Sequence, residues 1–100
     1  MNDPVLLTLL TPPAAEEAVV DWLLEIESEY GFSSFPVRGH SSRHTGLTLA
    51  EQVSGRKEQI RFEMHLPESE LSSLLNRLRQ DFAGAGLHYW VVPLKTWGHV

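Results

Sequence analysis

Cysteine is absent from this chain. Disulfides are therefore excluded, and so are zinc, copper and iron–sulfur sites built on thiolates. Small soft-metal carriers that work through a Cys-x-x-Cys loop are excluded on the same ground. Positive charge is scarce: Lys and Arg total 8 against 13 Asp and Glu, a formal net charge of −5. Nucleic-acid binding depends on Lys and Arg neutralising phosphates, so this balance argues against it. Long apolar runs are missing too. The first, VLLTLL at residues 5–10, follows Asn-Asp-Pro rather than a basic segment and is stopped by Pro12 and Pro13. It does not read as a secretory signal, and no stretch approaches the ~20 apolar residues of a membrane span. These absences predict a soluble, cytoplasmic protein. Catalytic signatures are lacking as well: the chain has no P-loop, no G-x-G-x-x-G and no G-x-S-x-G. With no nucleophile–base set in view, we expect no enzyme.

What is present suits one small domain spanning residues 1–100, with 42% apolar and 21% charged residues. Residues 5–10 are short and apolar, which predicts a buried strand. Thr11 then reads as a helix N-cap with Pro12 at the first helical position. Ala15, Ala18, Val19, Trp22, Leu23 and Ile26 recur at helical spacing, and Gly31 is a stop. Residues 32–39 read as a second strand, with Pro36 placing it at an edge or a bulge. A polar connector at about 41–55 holds a small apolar island, Leu47, Leu49 and Val53. Residues 56–66 alternate: Ile60, Phe62, Met64 and Leu66 face one way, Arg61, Glu63 and His65 the other. Leu71, Leu74, Leu75, Leu78 and Phe82 stripe a second helix that ends at Gly84 and Gly86. Residues 87–94, rich in aromatic and β-branched side chains, read as the last strand.

The order β-α-β-β-α-β predicts an α+β, ferredoxin-like fold: a four-stranded antiparallel sheet with both helices on one face. The other face should be polar. The third strand obeys, but Leu6 and Leu10 on the first strand and Trp90, Val92 and Leu94 on the last point outward if Tyr89 and Val91 point inward. A contiguous apolar patch on a small domain marks an interface, and a standard contact buries about 800 Å² per partner. We therefore expect a homo-oligomer that uses Leu6, Leu10, Trp90 and Val92. The competing reading is that the C-terminal tail, with Trp97 and Val100, folds back over this face.

The element order, the Thr11-Pro12-Pro13 start of the first helix and the Val37-Arg38-Gly39 stretch at the end of the second strand together give a resemblance. The chain resembles the PII-like signalling proteins, and is most similar to a small proteobacterial branch often encoded beside heavy-metal efflux pumps. The resemblance implies a trimer of ferredoxin-like subunits and a regulatory role linked to metal homeostasis. It implies an exposed loop at about 41–55 that touches a membrane transporter or a regulatory protein. It also implies an effector cleft between subunits near Gly39, Gly84 and Gly86. Two departures stand out. The segment 83–87, AGAGL, lacks the lysine of the PII nucleotide loop, and residues 41–55 hold no tyrosine for uridylylation.

The partner-loop candidates are Arg38, Gly39, His40, Arg43, His44, Arg56 and Lys57, whose cations suit an anionic or acidic contact. His40 and His44 also offer imidazoles four residues apart. They suit a divalent metal if the loop turns helically there, or if two subunits each contribute one. A metal-binding or metal-sensing protein is thus the alternative to the regulator, and the cofactor, a divalent metal or a nucleotide, stays open. An RNA-binding domain of the same element order would put aromatics on the open face of the third strand; here that position holds Arg61, Glu63 and His65.

Overall fold

The computed structural model describes residues 3–26, 30–40 and 56–100. Strand β1 (Pro4–Thr11) leads through a 3-10 turn (Pro13–Ala15) into helix α1 (Glu16–Ile26). Strands β2 (Ser33–His40) and β3 (Arg56–Pro67) follow, then a second 3-10 turn (Glu68–Glu70), helix α2 (Leu71–Phe82) and strand β4 (His88–Pro93). The four strands form one antiparallel sheet in the order β2-β3-β1-β4. This is the α+β ferredoxin-like arrangement. Among the described residues no helix is long and apolar enough to cross a membrane.

The core lies between one sheet face and the two helices. Val5, Leu7 and Leu9 from β1 and Phe62, Met64 and Leu66 from β3 are buried against Val19, Trp22 and Leu23 of α1 and Leu75 and Leu78 of α2. The period-two alternation of β3 and the helical spacing in α2 thus map directly onto burial. On α1 the expected Ala18 is exposed, and Val20 packs on the core as a partly buried neighbour. The helices are tied to each other by Trp22, whose Nε1–H donates to Asp81 Oδ2 at 2.6 Å while its ring meets Phe82 edge-on at 5.7 Å.

The first helix starts later than its sequence suggests. Thr11 is the last residue of β1, paired with Ile60, and its Oγ1 is buried without a hydrogen-bond partner. It caps nothing. Pro12 takes the cap position with extended backbone (φ −60°, ψ 145°), and the Ala15 N–H donates to its carbonyl at 3.0 Å. Pro13 is the proline inside the turn, where a missing N–H costs nothing. With two prolines in succession, the strand claims the threonine and the second ring opens the helix.

Pro36 does mark an edge. It lies in β2, the outermost strand on that side, the kind of position to which proline is confined in a sheet. β2 and β3 also run past the rest of the sheet. The β1–β3 ladder ends at Thr11 opposite Ile60, whereas β2 and β3 stay paired from Val37 opposite Gln59 to His40 opposite Arg56. Among the described residues, 37–40 and 56–59 pair only with each other. They make a two-stranded ribbon that extends about 13 Å beyond the sheet at ~3.4 Å per residue.

Candidate functional site

Antiparallel partners share a face, so the register gives the layout of the helix-free side. Val92, Leu6 and His65 form one row across it. Trp90, Thr8, Glu63 and Ser33 form the next, and His88, Leu10, Arg61 and Phe35 the third. β1, β2 and β4 bring Leu6, Leu10, Phe35, Trp90 and Val92 to this surface beside Thr8, Ser33 and His88, and Arg61 and Glu63 sit on β3. Phe35, Trp90 and Val92 are 38%, 41% and 42% exposed. Leu6 and Leu10, on an interior strand with a neighbour on each side, are half-buried. Thr8, beneath Trp90, is buried. Phe35 is the part of this surface that sequence reasoning missed; its placement opposite Arg61 is a matter of register, which periodicity within β2 does not carry.

Arg61 sits in the middle of the face. Its Cζ lies 5.3 Å from the Trp90 ring centroid and 5.8 Å from that of Phe35, so the guanidinium is flanked by aromatic rings from two other strands. Its Nε is buried and has no hydrogen-bond partner. Tyr89, expected to point inward, does lie on the helix side of β4, yet it is 41% exposed, since the core ends before this edge strand. Arg79 Nη2 donates to its hydroxyl at 2.7 Å.

The tail covers one corner of the face and no more. Trp97 stacks on His65 with centroids 4.3 Å apart, His99 meets Trp97 at 5.8 Å, and Tyr30 approaches His65 edge-on at 6.2 Å. Trp97 is itself 50% exposed, and Trp90 and Val92 stay 41% and 42% exposed with the tail in place. The open surface therefore keeps most of its apolar area.

The partner-loop candidates divide. Arg43, His44 and the rest of residues 41–55 fall outside the described residues. Arg38, Gly39, Arg56 and Lys57 are strand residues of the ribbon, as their segments suggest, and His40 extends β2 by one residue beyond the expected end at Gly39. Ladder pairing continues through them because the polar connector begins only after His40. Arg38 pairs with Glu58, Gly39 with Lys57 and His40 with Arg56. His40 ends β2 with Arg56 opposite it, and His44, the other half of the expected pair, lies outside the described residues. Among the described residues no three His, Cys, Asp or Glu side chains gather at metal-binding distance.

The proposed cleft glycines are also separated within one chain. Gly39 is on β2, in the ribbon; Gly84 and Gly86 lie in the turn before β4, three strands away on the opposite edge. At ~4.8 Å per strand spacing they stand on the order of 15 Å apart or more. Their reasons for being glycine differ. Gly86 has φ +84° and an added Cβ would lie 3.3 Å from the Pro12 ring. At Gly39 a Cβ would come 2.7 Å from Gln59 Oε1, the far end of a side chain that can swing aside. Gly86→Ala should therefore lower unfolding stability by about 1–2 kcal/mol, the left-handed penalty, while Gly39→Ala should change it by less than ~1 kcal/mol. Urea titration of the two variants checks this contrast.

Residues 1–100 match a family described as a protein of unknown function, DUF3240. A crystal structure of a DUF3240 family protein from Shewanella baltica superposes with a TM-score of 0.79 and 26% identity, covering 100% of this chain and 99% of that one. A PII-like signalling protein from Thermus thermophilus gives a TM-score of 0.63 and 22% identity, over 94% of this chain and 91% of its own. A nitrogen regulatory PII-like protein from Thiomonas intermedia, bound to ADP, AMP and bicarbonate, gives 0.69 and 17%, over 97% of both chains. No curated protein matches the chain. Matched along its whole length, the chain belongs to the DUF3240 family, and its fold is the one seen in PII-like signalling proteins.

Proposed function

We propose that this protein is a non-enzymatic, PII-like regulator that works as a closed homo-oligomer, a trimer, packed through its helix-free sheet face. What supports the reading is that face itself: Phe35, Trp90 and Val92 together expose aromatic and β-branched surface on the side no helix covers. A small domain gains stability by burying such a surface against copies of itself.

The ribbon of β2 and β3 is the base of an arm that continues into residues 41–55 and presents Arg38, His40, Arg56 and Lys57 at its root. This arm contacts the regulated protein, a membrane transporter or a regulatory partner of metal homeostasis. An effector bound in the cleft between copies, where Gly39 of one faces the Gly84–Gly86 turn of the next, shifts the arm between arrangements by binding one of them better. Such a cleft needs two copies, since a single chain holds these glycines apart. Sedimentation velocity at micromolar concentration tests the assembly. One species at three times the chain mass is expected, and a plain monomer removes the reading.

A further inference from the structure

We infer that Arg61 anchors the open-face contact, and that its acceptor is the Glu63 carboxylate of a second copy. The inference deepens the proposed assembly and rests on it. The starting observation is a cation in an unusual place. Arg61 is flanked by Trp90 and Phe35, at 5.3 and 5.8 Å, and its Nε is already buried without a partner. The two rings flank the guanidinium and offer its N–H donors no hydrogen-bond acceptor. Covering Trp90, Phe35 and Val92 with an apolar partner would strand those donors in a dry contact, which is strongly unfavourable for a charged group. Whatever covers this face must bring an acceptor.

A second copy brings one. Glu63 lies on the same strand and the same face as Arg61, one row along, opposite Thr8 and Ser33. Two residues of strand separate their Cα atoms by about 6.8 Å. Within the three rows of the sheet proper, the face carries one arginine and one carboxylate side by side, a self-complementary pattern; Lys57 shares this side of β3 but lies out on the ribbon. In a closed ring each Arg61 meets the Glu63 of its neighbour, and no charge is left over. An unrelated acidic partner would use Arg61 but would leave Glu63 buried and unpaired, so this face fits a copy of itself better.

The test compares the full chain with Arg61→Glu, Glu63→Arg and the double exchange, by sedimentation velocity, with circular dichroism to confirm that each variant is folded. Each single reversal places like charges together and should raise the dissociation constant by about 100-fold or more. The double exchange restores opposite charges and should return it to within about tenfold of the original. Singles that assemble like the parent, while Trp90→Ala comes apart, overturn the Arg61–Glu63 pairing and leave the open-face contact standing. Loss with Arg61→Glu that the double exchange does not rescue overturns it too, because the acceptor is then another group. A parent protein that is monomeric throughout defeats the assembly on which the inference stands.

Discussion

Trp90→Ala should release folded monomers from the assembly. The ring is 41% exposed in one chain, lies on the helix-free face and forms one wall around Arg61. A buried tryptophan at the centre of a contact typically costs at least about 2 kcal/mol on truncation, which is about a 30-fold rise in dissociation constant. Here the loss has two parts. The apolar area of the indole goes, and the Arg61 guanidinium loses one of its two flanking rings. The single chain should be affected much less, because Trp90 sits on an edge strand outside the core cluster. Leu24→Ala is the matched control. Leu24 is more exposed, at 62%, but lies on α1 away from the sheet face, and its removal should leave the sedimentation profile unchanged. A Trp90→Ala protein that sediments like the parent would place the contact elsewhere on the molecule.

The helix-free face also shows how far the sequence could be read. The alternation in β3 identifies its two sides because a strand has a period of two, and Phe62, Met64 and Leu66 are indeed buried. The same holds for Leu75 and Leu78 on α2. Such patterns tell which way a side chain points and not what stands beside it. That Phe35 lies opposite Arg61, and that Trp90 closes the other side, follows from the register of three strands distant in sequence. The seating of Trp97 on His65 is likewise a tertiary contact with no local signal. Thr11 departs from its local pattern for a related reason. Thr-Pro-Pro suits a helix start locally, but pairing with Ile60 extends the strand by one residue and moves the cap to Pro12. The Val37-Arg38-Gly39 stretch does lie at the end of the second strand, and its ladder with β3 runs one residue further, to His40.

Phe62→Ala should have the largest effect on the fold. Phe62 is 1% exposed on β3, with Leu9 opposite it on one side and Ser34 on the other, and its ring lies 6.2 Å from Phe32. Truncating a buried phenylalanine removes its transfer free energy and leaves a cavity, together about 3–5 kcal/mol. Collapse around this cavity is limited, because β3 is an interior strand and both its neighbours are fixed by ladder bonds. A domain of this size holds only about 5–15 kcal/mol in total, and each kcal/mol shifts its melting temperature by about 4–8 °C. A drop on the order of 15–30 °C is therefore expected in a thermal scan. The two substitutions separate by concentration. Diluting the Trp90→Ala protein changes its mass and leaves its secondary structure intact. The Phe62→Ala chain loses structure itself, and raising its concentration recovers stability only to the extent that association draws chains back to the folded state. If Phe62→Ala instead melts within a few degrees of the parent, the core does not centre on β3, and the open face behind it loses its rigid support.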